Sequence, residues 1–323
     1  MDLPLFRSTK NDSLYTLAFY NLENLFDTED DLKTLDDDFL PHSERRWNRK
    51  RYEKKLYKLS SVITRIGTSK SSKPPILVGV AEVENKKVLL DLVATKKMVS
   101  NQYGIVHYNS PDERGIDVAL LYQKDHFKVI TSKTVTVLVD NEPGIRDYTR
   151  DILHVEGFMN EEKIHVLVNH WPSRRDGAEN TAYKRIIAAQ KNRELIAQIQ
   201  AHDAEAKIVV MGDFNDDPNS ESVKDHLVQQ DLYNPMMKLH TRYRGSLSYR
   251  SQWNLFDQII ISHSFHKFQR GKHSFDHADI FDRKYIRVFE GRYKGSPFRT
   301  YAGPNYQGGY SDHFPVYISL KLH

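Results

Sequence analysis

Six groups of residues in this chain combine carboxylates, amides and imidazoles at recurring positions. They are Asn21 with Glu23, Glu82, Asn169-His170-Trp171, Gly212-Asp213-Phe214-Asn215, Asp257, and Ser311-Asp312-His313. With no thiol among them, the set suits a hard cation such as Mg²⁺ or Mn²⁺ rather than zinc or copper. Mg²⁺ typically takes only one or two protein carboxylates and keeps positions for water and phosphate. Two imidazoles, a base-like Asp and an amide then supply what phosphate-ester hydrolysis requires: a water to attack, donors for the pentacoordinate transition state, and help for the leaving oxygen. Taken singly, each group has a structural reading. Asn21 suits a turn or cap, Glu82 a solvated strand end, Asp213 and Asn215 an Asx turn, and His170 a satisfied core histidine. Together they are far more specific.

The elements that must carry these groups are legible from periodicity. Leu14–Tyr20 is β-rich and runs into Asn21; Ile76–Ala81 is a short apolar strand ending at Glu82. Val118–Tyr122, Phe127–Val139, Asp151–Phe158 and Ile164–Asn169 read as consecutive strands. Two of these pairs are joined by short polar links that favour antiparallel pairing. Ile208–Met211 and Gln258–Ile261 are short and mostly apolar, as strands covered on both faces should be, and Phe314–Leu320 alternates as a last strand. Leu56, Leu59, Ile63 and Ile66 predict an amphipathic helix over about Lys50–Ile66, and Val83–Lys97 returns to helical spacing. A long helix at about Ala182–Ala201 carries Ile186, Ile187, Leu195, Ile196 and Ile199 on its inner side. Most of the chemical groups thus fall at strand ends, where an α/β scaffold presents side chains to a ligand.

Composition bounds the rest. Of 323 residues, 39% are hydrophobic and 28% charged, with 15 Phe, 18 Tyr and 3 Trp, so a disordered or collagen-like chain is excluded. Zero cysteines remove disulfide scaffolds and thiolate zinc sites. No run approaches the roughly 18 apolar residues of a membrane span. The opening Met1–Arg7 has no basic patch followed by an apolar stretch, so a cytoplasmic location is expected, although a trimmed leader would leave the same picture. The balance of 47 Lys+Arg against 43 Asp+Glu, net +4, permits a nucleic-acid partner without demanding one.

The series Tyr20-Asn21-Leu22-Glu23-Asn24, Ala81-Glu82-Val83, Asn169-His170-Trp171, Gly212-Asp213-Phe214-Asn215, Phe256-Asp257-Gln258-Ile259 and Ser311-Asp312-His313-Phe314-Pro315 resembles the endonuclease/exonuclease/phosphatase superfamily. That superfamily includes the exonuclease III-like and pancreatic-type deoxyribonucleases. The resemblance runs from about Leu17 to Leu320 and implies a four-layer α/β/β/α sandwich, with two packed, mainly antiparallel sheets in one domain over 1–323. It further implies Glu82 as main metal ligand with Asn21 beside it, Asp312 near the metal, and Glu23 as a weaker second acidic match. Asp213 would orient or deprotonate the attacking water. Asn215 and His170 would hold phosphate oxygens, and Asp257 would orient His313 and stabilise its imidazolium.

Within the superfamily the neighbours of the motifs disfavour inositol-polyphosphate phosphatases and put abasic-site repair in doubt, since Glu82 sits in Ala81-Glu82-Val83-Glu84-Asn85. The pattern, with Ser110-Pro111-Asp112-Glu113-Arg114-Gly115 and Gly308–His313, is similar to a bacterial group labelled only by superfamily name. Arg114, Arg150, Arg174, Arg175 and Arg299 lie in motif-rich loops where a forked guanidinium could clamp phosphate, or serve as salt-bridge partners. Trp171, Tyr249, Trp253, Tyr301, Tyr306 and Tyr310 are candidates for stacking on bases, or for the core. The basic run Arg45–Lys58 reads as the solvated face of a helix, and His273, Asp276, His277 and Asp279 as a polar loop. The expected function is Mg²⁺-dependent phosphodiester hydrolysis with nucleic acid, DNA favoured, as partner and no protein partner evident. The alternative is a phosphatase or phosphodiesterase for a small or lipid-linked phosphate ester.

Overall fold

The apolar runs pair into two six-stranded sheets. The structure, a computed structural model, describes residues 10–142, 144–175 and 177–323; Met1–Arg7 lies outside them. In chain order the sheet strands are β1 Leu14–Leu25, β2 Leu77–Val83, β3 Tyr103–His107, β4 Asp117–Gln123, β5 Phe127–Val135, β6 Ile152–Met159, β7 Glu162–His170, β8 Lys207–Asp213, β9 Leu232–Tyr233, β10 Asp257–Ser262, β11 His273–Ile280 and β12 Val316–Leu322. The helices are α1 Arg49–Ile63, α2 Lys86–Val93 and α3 Ala182–His202. One sheet has the order β11-β12-β1-β2-β4-β3 and the other β9-β10-β8-β7-β6-β5. Each contains one parallel pair at its centre, β1 with β2 and β7 with β8; the remaining pairs are antiparallel. A parallel pair needs a long crossover. Here α1 lies in the first crossover and α3 in the second.

Alternation along the strands builds the layers. Val166, Val168, Val209 and Met211 join the large core between the sheets, whereas Leu167, Ile208 and Val210 join the cluster under α3. This is the period-two division of one strand between two faces. Met211 sits so close to Gly79 that a Cβ there would meet its sulfur at 2.5 Å. On the far side of the first sheet, Leu56, Leu59, Ile63, Val88 and Leu92 seat α1 and α2 in the same core. The result is the α/β/β/α sandwich expected.

Several elements differ from the sequence reading. Val83 ends β2, and the following helix spans only Lys86–Val93, started by Asn85 Oδ1 accepting the Val88 N–H at 3.0 Å. The strand from Phe127 stops at Val135, and Val139 begins a separate hairpin. The short link between β4 and β5 crosses from one sheet to the other instead of making a hairpin, while β6 and β7 do pair antiparallel. The segment His273–Ile280 is an edge strand, not a loop. Its His273 bonds Glu162 at 2.8 Å and Asp279 pairs with Arg244 at 2.7 Å. On α3 the buried stripe is Arg185, Ala188, Ala189, Asn192, Leu195, Ile196 and Ile199; Ile186 and Ile187 are only half-buried. Two polar side chains turn the helix, as Arg185 pairs with Asp216 and Asn192 donates to Asn169.

His154 and His165 form a buried pair on β6 and β7, Nε2 to Nδ1 at 3.1 Å. Burial pushes His154 down to about 4, helped by His165 and Lys133, and burial likewise lowers His165. The unfolded chain takes up these protons first, near pH 6.5, so the folded state keeps its full advantage above that pH. It loses it progressively as pH falls toward about 4. The urea midpoint should therefore decline from pH 7 to 4, and His154→Gln should flatten that decline. Among the described residues no helix is long and apolar enough to cross a membrane.

Candidate active site

The parallel pairs bring the chemistry to one edge of the paired sheets. On the second sheet, β7 ends in His170 and β8 in Asp213, which are register partners. Asp257 opens β10 opposite Asp213. Gly212 allows this approach, since a Cβ there would lie 2.4 Å from the Asn169 carbonyl oxygen. On the first sheet, Asn21 lies opposite Ala81, one residue before Glu82.

Asp213 is the hub. Its Oδ2 accepts from Asn21 Nδ2 at 3.0 Å, and its Oδ1 accepts from the Asn215 N–H at 2.9 Å. His170 Nε2 lies 3.7 Å and His313 Nε2 4.0 Å from Oδ2. Burial raises this carboxyl above the usual range, as does Asp257, against the pull of His313, Asn215 and Asn21. His313 Nδ1 meets Asp257 Oδ2 at 2.6 Å, and Asp257 is wholly buried. Burial acts to lower His313, but Asp257 and then Asp213 and Asp312 overcome it and hold the imidazole well above its ordinary value. His170 goes the other way: burial and the nearby Arg150 and Arg114 keep it neutral. Its Nδ1 is buried without a hydrogen-bond partner among the described residues. One site thus holds a neutral and a charged imidazole on either side of one carboxylate.

The backbone is bent to present these groups. Glu82 has φ 59° and Asn215 φ 49°, both in the left-handed region. Asn tolerates this; for Glu it is a strained arrangement of the kind that collects at functional sites. The β1–β2 register breaks between Asn21 and Leu25, and Glu82 Oε2 accepts from the Asn24 N–H at 2.8 Å. Its other oxygen has no hydrogen bond among the described residues. Among the described residues, Asn21 Oδ1 accepts only the Glu23 N–H. Asp312, three-tenths exposed, is bonded to Arg299 at 2.9 Å and lies 4.0 Å from His313. These oxygen donors fit a hard cation. Asp213, Asp257 and His313 also bring one ligand atom each within 4.8 Å of one another. Glu23 does something else. Its carboxylate accepts the Thr300 and Tyr301 N–H groups at 2.6 and 3.2 Å and lies 3.6 Å from the buried Lys55 ammonium.

The candidate arginines divide. Arg150 is buried and donates to the His170 and Trp171 carbonyls at 3.2 and 2.6 Å and to Asp112 at 3.0 Å, so it braces the strand end. Arg174 is bound to Asp216 and to the Asn215 carbonyl and packs on Phe256. Arg114 reaches Asn24 at 2.7 Å, Arg299 takes Asp312, and Arg175 is exposed with no carboxylate partner among the described residues. Of the candidate aromatics, Trp171 is core, edge-on to Phe214; Tyr301 is buried with Trp47 and Phe39; Trp253 stacks on Phe314. Tyr306 and Tyr310 are half-buried under cations of α1, and Tyr249 is 64% exposed.

Two residues absent from the sequence reading hold this assembly. Lys55 donates to the Glu23 carbonyl, Thr300 and the Tyr310 carbonyl. Its place one turn from Tyr52 and Leu59, inside the buried stripe of α1, was the available signal. Asp216 is gripped by Arg174, Arg185 and Ser222. Asp216→Ala would leave Arg185, 1% exposed, as an uncompensated buried charge. A loss of about 3–5 kcal/mol in unfolding free energy is expected, read from urea denaturation.

Comparison with solved structures places the fold among known ones. TDP2 from D. rerio, humanized by 14 mutations, superposes with TM-score 0.59 at 14% identity, covering 96% of this chain and 99% of that one. D. rerio TDP2 complexed with single strand DNA product gives 0.56 at 15%, covering 96% and 100%. An endonuclease/exonuclease/phosphatase family protein from Bacteroides thetaiotaomicron gives 0.57 at 14%, covering 96% and 98%. These likenesses speak to the fold. No curated protein matches the sequence significantly. The Endonuclease/Exonuclease/phosphatase family model matches residues 16–322, and the chain belongs to that family, whose chemistry is the hydrolysis of phosphoric esters.

Proposed function

We propose that this protein is a Mg²⁺-dependent phosphodiesterase acting on nucleic acid, with DNA the favoured substrate. The observation that carries the reading is the Asp213 hub, where one buried carboxylate faces a neutral His170 and an Asp257-backed His313. Glu82 and Asn21, with Asp312 nearby, would hold the cation, which when bound supplies positive charge to polarise the phosphate and its water. The Glu82 oxygen that takes no hydrogen bond among the described residues supports this placement over Asp213, Asp257 and His313. Asp213 accepts a proton from the attacking water, as its raised affinity for protons suits. Asn215 and neutral His170 donate to the non-bridging oxygens. His313, charged through Asp257, stabilises the developing negative charge and can give its proton to the leaving oxygen. A neighbour's structure holding a single strand DNA product supports nucleic acid over a small ester.

The test is a substrate panel with Mg²⁺: plasmid, single-stranded DNA, RNA and phosphomonoesters. A nucleic-acid substrate meets several phosphates, so log affinity should fall with log salt by about 0.7 to 0.9 per contact. Arg175→Ala should reduce that slope by about one contact; Arg174 is unsuitable for this purpose because it holds Asp216. Salt-insensitive turnover together with efficient phosphomonoester hydrolysis would favour the phosphatase.

A further inference from the structure

Beside the Asp213 hub lies a cavity of about 580 Å³ that no step above uses. It shares Asp312 and Arg150 with the site, and Arg150 bonds the carbonyls of His170 and Trp171, so the cavity opens next to the reacting phosphate. Its charges largely cancel. Arg150 pairs with Asp112 at 3.0 Å and Lys184 with Asp147 at 2.7 Å, Arg114 donates to Asn24, and Asp312 is held by Arg299. These paired ions make a poor second phosphate site, and the exposed Arg175 is left for a backbone phosphate. The wall suits a neutral group instead. Tyr148 and Tyr249 contribute aromatic faces and are 51% and 64% exposed.

We propose that this cavity receives the nucleobase next to the scissile phosphate, with Tyr148 and Tyr249 as stacking faces. A paired, stacked base cannot enter, so the inference, which rests on the nucleic-acid reading above, assigns the enzyme to single strands and frayed ends. Every base has a π-face, so stacking tolerates sequence. The volume falls within the range of small-ligand pockets.

The experiment compares kcat/KM on a single-stranded oligonucleotide, its duplex, and the same single strand with an abasic nucleotide beside each cleaved phosphate. The single strand should be preferred. Tyr249→Ala and Tyr148→Ala should each lower kcat/KM on it by roughly 5- to 150-fold, mainly through KM, and Tyr249→Phe should retain activity. On the abasic strand, wild type should fall to the level of the Ala variants and the variants should lose no more. Both tyrosines are exposed, and unchanged urea midpoints would show that the variants fold. Equal cleavage of duplex and single strand, with tyrosine variants that behave as wild type, overturns the base pocket and leaves the nuclease reading standing. Absence of cleavage of any nucleic acid, with phosphomonoesters hydrolysed, overturns both.

Discussion

Asp213→Asn is expected to lower kcat by roughly 10²–10⁴ while substrate still binds. The surroundings dictate how the new amide must lie. The Asn215 N–H donates to Oδ1 at 2.9 Å, so the amide oxygen stays there and its NH₂ takes the place of Oδ2. That NH₂ then faces Asn21 Nδ2, His170 Nε2 and His313 Nε2. A position that accepted a proton becomes a donor, and neither the size nor the fold of the site need change. Single-turnover kinetics with a separate binding measurement decide the matter. Unchanged turnover with lost affinity would make Asp213 a substrate contact rather than a base.

The second large effect concerns the cation. Activity is expected to vanish in EDTA and return with Mg²⁺ or Mn²⁺. Glu82→Gln should raise the metal concentration needed for half-maximal activity by at least about 10–100-fold, the cost reported even for outer partners of metal ligands. Gln keeps the bond from the Asn24 N–H through its amide oxygen and so preserves the strained turn. What it removes is the charge. Direct Mn²⁺ binding, followed by paramagnetic resonance, should weaken in parallel. Full activity in chelator would remove the metal from the mechanism, and undiminished Mn²⁺ affinity in Glu82→Gln would move the site to Asp213, Asp257 and His313.

Residue type and local periodicity were enough for the strands that carry Glu82, His170 and Asp213 at or next to their ends, for the long crossover helix, and for phosphoric-ester hydrolysis as the chemistry. An apolar run must be buried, and a polar residue at its end must emerge at an edge, whatever the partner strand. Pairing was another matter. The link between β4 and β5 is as short and polar as that between β6 and β7, yet one crosses between sheets and the other turns a hairpin. Which faces find apolar cover, rather than the length of the link, decides this. The same holds for the arginines. Arg174 and Arg175 are neighbours of identical chemistry, but Asp216 lies in reach of one and not the other. Lys55, in a run of cations that reads as solvated, is 2% exposed because Glu23, Thr300 and Tyr310 come to it from distant parts of the chain. Desolvating an ammonium is tolerable only where its hydrogen bonds are supplied. Residue types therefore set the chemistry available, and tertiary packing, by choosing each charge's partner and its distance from water, decided which of those charges hold the protein together and which face the substrate.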